Sequence, residues 1–406
     1  MKPIFTLVFI FFCSALCVAQ HDNKIIIGTI DSINSKILNE QRKIWVHVPN
    51  GAKAGQRYPV IYLLDGDAHF YSVGGMVHQL SAVNGNSLCP EMIIIGITNT
   101  NRTRDLTPTH NGNAKFMSPE MAKVSGGGEN FTAFIEKELM PYIDATYPTT
   151  PYRVLVGHSL GGLMVVNTLI HHTQLFNAYI AIDPSMFWDD KKLLNQTREA
   201  LAKQDFTGRA LYLAAANTQP EGMDINNVAK DTTPNTMHIR AIVELNDVLK
   251  ARGLKGGKYN YKYYNDDDHG SVPLIAQYDA LRFIFDFYRL KLTPDDFSKL
   301  DMAVVKRIEK HYEQMGKHLG YKVMVPDGMA NSLGYQAMGM KHYTEAEYLF
   351  KMNTVNYPEN SNVYDSLGDL YKEKGNKVKA IELYKKALTL AEVADTRKKL
   401  NELLKK

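Results

Sequence analysis

From residue 24 to residue 290, short apolar runs alternate with stretches whose apolar residues recur every three or four positions. Val60-Ile61-Tyr62-Leu63-Leu64, Met92-Ile93-Ile94-Ile95, Val154-Leu155-Val156 and Leu211-Tyr212-Leu213 are runs of the first kind, each ending in turn residues. Runs of this length fit strands buried on both faces, as in a parallel sheet covered by helices. Phe131, Phe134, Ile135, Leu139 and Ile143 share one helical face behind Asn130, which is expected to be the N-cap. Further helices are predicted over 237–252, stopped by Gly253, and over 274–290. Residues 24–30 and 42–48 are expected to add antiparallel strands at one sheet edge. The alternation implies an α/β layered domain.

After Leu290 the strand rhythm stops. Thr293-Pro294 predicts the N-cap and first turn of a helix running to His318. Pro326-Asp327-Gly328 breaks the chain, and a repeat follows at a separation of 34 residues: Leu333-Gly334 returns as Leu367-Gly368, Ala346 as Ala380 and Phe350 as Tyr384. These positions match the tetratricopeptide pattern, in which small residues let paired helices approach and large ones fill the space between them. Two repeats fall short of the three or so needed for independent stability. The helix over 295–318 is therefore expected to dock them onto the α/β domain.

Lys2, the apolar run from Ile4 to Val18 and the small residues before Gln20 form a secretory-signal pattern, with cleavage expected after Ala19. The run is shorter than the roughly 20 residues of a membrane span, so no span is expected after cleavage. Cleavage removes Cys13 and Cys17 and leaves Cys89 alone, so stability must come from packing rather than a disulfide. Charge changes this picture little. Residues 361–406 hold 11 of the 47 basic and 7 of the 43 acidic side chains, which leaves 36 of each elsewhere. A balanced main domain lacks the basic face of a nucleic-acid binder, and the basic tail reads as a solvated helical surface. With 45% hydrophobic and 22% charged residues, general disorder and collagen-like or coiled-coil architectures are excluded.

The candidate chemistry sits at Gly157-His158-Ser159-Leu160-Gly161-Gly162. This G-x-S-x-G follows a buried strand and precedes a helical stretch, the context in which a sharp turn lifts a serine hydroxyl above the sheet. A serine needs a base, expected after the last strand, and His269 stands there in Asp268-His269-Gly270-Ser271. Other histidines fit worse: His158 is locked beside the serine, His171 and His172 end a helix, and His238 starts one. The acid that orients the histidine is open between Asp183, favoured because it follows a buried strand and precedes Pro184, and Glu221 or Asp224 in the next loop. The oxyanion hole is expected from the N–H of Leu160 and one from Gly66 or Asp67. Arg102, Arg104 and Trp188, with Phe187 beside it, are nominated for substrate contact, and the Ser125–Gly128 segment as a loop hinge.

Tyr58-Pro59-Val60-Ile61-Tyr62-Leu63-Leu64-Asp65-Gly66, the serine motif, Pro184-Ser185 with Trp188, and Asp268-His269-Gly270-Ser271-Val272-Pro273 together resemble the putative-esterase family. That family includes esterase D-like enzymes, feruloyl and acetyl xylan esterases, and ferric-enterobactin and bacillibactin esterases. The resemblance covers roughly residues 24–290 and is strongest to the siderophore-esterase branch and to secreted homologues ending in tetratricopeptide repeats. It implies an α/β-hydrolase fold and Ser–His chemistry, carried onto Ser159 and His269. Siderophore esterases generally offer a Glu after the seventh strand, where this chain has Asn217.

The expected organisation is a signal peptide over 1–19, an α/β-hydrolase domain over 20–290, a helical linker over 291–326 and two tetratricopeptide-like repeats over 327–406. The expected function is a periplasmic or secreted serine esterase acting through an acyl-enzyme on siderophore lactones or acylated glycans, with no metal or other cofactor and no nucleic-acid partner. The rival expectations are an inert hydrolase-like scaffold whose repeats bind a protein partner, and hydrolysis of a peptide or thioester bond.

Overall fold

The computed structural model describes residues 23, 25–51, 55–112 and 117–405. The expected signal peptide lies outside the described residues. The strands among the described residues are β1 (Thr29–Ser35), β2 (Glu40–His47), β3 (Tyr58–Leu63), β4 (Ile93–Ile97), β5 (Thr149–His158), β6 (Ala178–Ile182), β7 (Ala210–Ala216) and β8 (Lys258–Tyr264). They form one sheet in the order β1-β2-β4-β3-β5-β6-β7-β8. β1 and β2 run antiparallel to each other, and β2 runs antiparallel to β4. The remaining neighbours are parallel. This is the α/β-hydrolase architecture expected above.

The continuous apolar runs are explained by the pleat. Along β3 and just beyond it, Val60, Tyr62 and Leu64 pack into the core on one face, while Ile61 and Leu63 pack into the core on the other. Successive side chains point to opposite faces, so a sheet covered on both sides wants every position apolar. Helices Leu160–His171 and Met237–Arg252 cover the first face, and Gly66–Ser81 and Val272–Ile284 cover the second.

Several boundaries differ from the expectations. β1 begins at Thr29 rather than residue 24, because Ile25 and Ile26 find no neighbouring surface and stay exposed. The helix expected behind Asn130 starts at Gly128, with Gly127 as its N-cap. The helix expected over 274–290 is Val272–Ile284. The single helix expected to reach His318 is two, Pro294–Lys299 and Met302–Leu319. They are broken at Leu300, whose φ of 36° is left-handed and whose side chain is fully buried, and Asp301 caps the second helix.

Helix Met302–Leu319 joins the two parts of the molecule. Met315 and Leu319 lie in the core of the sheet's second face, while Val304, Val305 and Ile308 lie in the core of the helical tail. The tail pairs Asp327–Gly339 with Tyr343–Asn356 and Ser361–Glu373 with Lys377–Leu390. In the first pair a Cβ on Gly334 would lie 2.5 Å from Phe350, and in the second a Cβ on Gly368 would lie 2.7 Å from Tyr384. Both rings are fully buried, so the 34-residue spacing repeats one glycine-on-aromatic contact. Gly368→Ala should therefore cost about 1–3 kcal/mol of stability through overpacking. Thermal unfolding reads the loss, and ester hydrolysis should be unchanged at temperatures where the variant is folded. Among the described residues, no helix is long and apolar enough to cross a membrane.

Candidate active site

β5 ends at His158, and Ser159 turns the chain with φ 60° and ψ −117° into the helix Leu160–His171. A non-glycine residue in such a conformation costs on the order of 1–3 kcal/mol and persists only when its surroundings fix it. Here the Ser159 N–H donates to the Ile182 carbonyl at 3.0 Å, and the Ser159 carbonyl accepts from the N–H groups of Leu163 and Ser185 at 3.0 and 3.1 Å. The flanking glycines are required by close approach: a Cβ on Gly157 would lie 2.3 Å from the Gly161 carbonyl oxygen. The Ser159 hydroxyl is 3.3 Å from that of Ser185.

Asp183 follows β6, is fully buried and has a left-handed φ of 41°. Its Oδ1 accepts the Ala216 N–H at 2.9 Å. Its Oδ2 faces two imidazoles, Nδ1 of His269 at 2.6 Å and Nε2 of His238 at 2.8 Å. Burial opposes ionisation of this carboxyl, but the hydrogen bonds from His238, His269 and Ala216 outweigh it and hold the group well below the usual carboxylate range. With Asp183 ionised, both facing ring nitrogens are donors, and His269 keeps its Nε2 lone pair free to take a proton.

His269 rides on the turn after β8, and two tethers place that turn. The Asn217 N–H donates to the Asp267 carbonyl and the Asn217 side chain to the Asn265 carbonyl, both at 2.8 Å. Asp268 Oδ1 accepts the N–H groups of Gly270 and Ser271 at 2.9 and 2.8 Å. The His269 ring lies 4.4 Å from the ring of His158, the residue before Ser159, and its side chain is 43% exposed. Burial, with the adjacent His269 as a second cause, pushes His158 down to about 4, so that ring is neutral near pH 7.

The other two candidate acids sit elsewhere. Asp224 caps the short turn Ile225–Lys230 by accepting the Asn226 N–H at 2.8 Å, and Glu221 is exposed. His238 has no role in the sequence reading, yet it shares the Asp183 carboxylate with His269. One signal for it existed: a crossover helix that follows a parallel strand begins at the carboxyl edge of the sheet, so its first turn faces the site.

Gly66 opens the helix Gly66–Ser81 behind Asp65, whose φ is 52°. Leu160, Gly66 and Asp67 lie in the first turns of helices, where N–H groups have no intrahelical partner. The turn is pressed against the serine elbow, since a Cβ on Gly161 would lie 3.3 Å from Asp65 Oδ2. Arg102 clasps Asp65 through Nε and Nη2 at 2.7 and 2.9 Å and reaches the His158 carbonyl at 3.3 Å, with its side chain still 36% exposed.

Three nominations for the surrounding loop need correction. Arg104 is committed to Glu40 and Asp105, each at 2.7 Å, and so ties the loop to β2 instead of reaching for a ligand. Trp188 is 1% exposed and its indole N–H donates to the Thr109 carbonyl at 3.0 Å, so it packs beneath the surface and offers no wall to a substrate. The Ser125–Gly128 segment is no hinge, because the N–H groups of Gly126, Gly127 and Gly128 are bound to Thr107 Oγ1, the Arg104 carbonyl and the Thr107 carbonyl.

Asp183, His238 and His269 are also the one group among the described residues with three candidate metal-ligand atoms close together. Their separations of 2.6 and 2.8 Å are hydrogen bonds, shorter than the roughly 3.3 Å between ligand atoms around a tetrahedral zinc ion. A cavity of about 590 Å³ between the helix Met302–Leu319, the segment that follows it and Met352 of the helical tail is lined by neither serine nor histidine. Ser159, Asp183 and His269 all follow strand ends at the carboxyl edge of β5, β6 and β8, and the hydrogen-bond partner of the Ser159 hydroxyl there is Ser185 rather than His269.

Comparison with known proteins agrees with this fold. A model of the family described as Putative esterase matches residues 35–243. The chain is 29% identical over 273 residues to the ferri-bacillibactin esterase BesA of Bacillus subtilis, covering 62% of this chain and 87% of that protein. It is 24% identical over 272 residues to the siderophore enterobactin esterase of Emericella nidulans, covering 58% and 84%. Among solved structures, an IroE-like serine hydrolase from Shewanella oneidensis superposes with a TM-score of 0.66 at 29% identity, covering 80% of this chain and 99% of that one. An uncharacterised protein from Capnocytophaga ochracea shares the fold at a TM-score of 0.65 and 18% identity, over 93% of this chain and all of that one. The chain belongs to the putative-esterase family and is an esterase of the α/β-hydrolase fold.

Proposed function

We propose that this protein hydrolyses the ester bonds of siderophores through an acyl-enzyme formed on Ser159. The observation that carries the proposal is the buried Asp183 bonded at 2.6 Å to His269 at the sheet edge where Ser159 turns. Ser159 Oγ attacks the ester carbonyl while Nε2 of His269 takes its proton, and Asp183 stabilises the imidazolium that results. The N–H of Leu160 and one from Gly66 or Asp67 receive the charge that develops on the carbonyl oxygen. The intermediate collapses, the ester C–O bond breaks, and His269 returns the proton to the departing alkoxide. Water, deprotonated by the same nitrogen, then releases the acid and restores Ser159.

The siderophore class is supported by the relatives, which are named for bacillibactin and enterobactin. Arg102, paired with Asp65 and bonded to the His158 carbonyl, stands beside the serine turn with its side chain 36% exposed. Residues 1–19 fit a cleaved export signal, which would put the enzyme in the periplasm or outside the cell. Residues 20–290 make the esterase domain, 291–326 the linker, and 327–406 two tetratricopeptide-like repeats able to take a protein partner. The test is product analysis after incubation with a ferric tricatecholate trilactone, with acetylated xylan in parallel. Linear catecholate acids from the trilactone are expected. Acetate release from xylan with an untouched trilactone would replace the siderophore by a glycan ester.

A further inference from the structure

Asp183 lies between two imidazoles that meet at one oxygen. The rings of His238 and His269 are 5.2 Å apart and nearly perpendicular at 88°, so they converge edge-on rather than stack. We infer that His238 is a positioning residue for the hydrolysis: by donating its Nε2 proton to Asp183 Oδ2 it fixes the carboxylate rotamer, and through it the ring of His269. The inference rests on the roles given above to Ser159, His269 and Asp183.

Two features make this more than a packing contact. First, Asp183 has a single backbone hydrogen bond to its carboxylate, from Ala216 to Oδ1, so Oδ2 is held by side chains alone among the described residues. His269 is the more exposed of the two, at 43% against 20% for His238, and its proton load changes during turnover. An oxygen tied only to that ring would turn with it; a second donor that takes no part in the chemistry holds the oxygen still. Second, His238 is itself held firmly. It stands in the first turn of helix Met237–Arg252, behind the fully buried Thr236, whose hydroxyl donates to Asp231 Oδ2 at 2.7 Å. The Phe187 ring lies 5.5 Å away and meets the imidazole edge-on.

The test compares His238→Phe, His238→Asn and His238→Gln with Ser159→Ala in the full chain. Phe keeps the ring and loses the donor, Asn retains a polar group too short to reach Asp183, and Gln restores an N–H near the place of Nε2. Folding is followed by circular dichroism and activity by p-nitrophenyl butyrate hydrolysis. His238→Phe and His238→Asn should lower kcat by about tenfold or more with KM within about twofold, as for an interaction made in the transition state. His238→Gln should recover most of that loss. A kcat unchanged in the donorless variants, or an equal fall in all three, would overturn the inference and leave the serine mechanism standing. Activity retained in Ser159→Ala would instead remove the mechanism on which the inference depends.

Discussion

Asp183→Asn is expected to lower kcat by about 10⁴-fold while leaving the fold in place. All three partners of this carboxylate are donors: the Ala216 N–H on Oδ1, and His238 and His269 on Oδ2. An asparagine has one oxygen to offer and must turn its NH₂ either to the backbone N–H or to the imidazoles. Turned to the imidazoles, it can be accepted only by an unprotonated Nδ1, which moves the His269 proton to Nε2, where the serine proton should go. Turned to Ala216, it places two donors face to face. Glu221→Gln and Asp224→Asn should stay within about twofold of the parent, because neither carboxylate is engaged with His269.

The pH dependence follows with a definite sign. The folded protein holds Asp183 below its ordinary value of 3.8, so its ionised contribution to stability is complete above that value and is lost only as pH falls through the lowered one. Ionisation of Asp183 itself therefore adds no pH dependence to the melting temperature between about pH 5 and pH 8, and the difference between parent and Asp183→Asn should narrow in stronger acid. No acid limb of the rate within that range belongs to Asp183.

The architecture was legible because burial on two faces leaves a plain mark. A run such as Val60–Leu64 has no polar alternate, and its residues divide between the two cores as the pleat requires. Gly157 was legible for a related reason, since the approach of the Gly161 carbonyl admits no Cβ. What the sequence left open depends on direction across long separations. His269 is 86 residues from Asp183 and His238 is 55, and nothing local to any of them reports that they share an oxygen. Glu221 and Asp224 stayed open as alternatives to the favoured Asp183 because a loop's path decides which carboxylate turns inward. Trp188 and Arg104 misled because a large ring and a charge in a loop suggest a ligand, whereas here Thr109, Glu40 and Asp105 occupy their polar groups. The break at Leu300 was hidden because burying a leucine offsets the cost of a left-handed residue, an exchange visible only once the tail core exists.

Ser159→Ala is the second large effect. Removing the nucleophile from a serine hydrolase costs on the order of 10⁶-fold in kcat. The side chain does little to hold the elbow, which is fixed through the Ser159 N–H and carbonyl, and alanine keeps both. Ser185 does not replace it. Although its hydroxyl lies 3.3 Å away, it does not stand at the strand-to-helix turn, where the first helical N–H groups gather. Ser185→Ala should change the rate by less than about tenfold.

The most direct measurement of the central claim is the rate of p-nitrophenyl acetate and butyrate hydrolysis by the parent protein and by Ser159→Ala, with both shown to be folded. The account predicts release of p-nitrophenol by the parent and a rate at the uncatalysed background in the variant. Equal rates in the two proteins would contradict it.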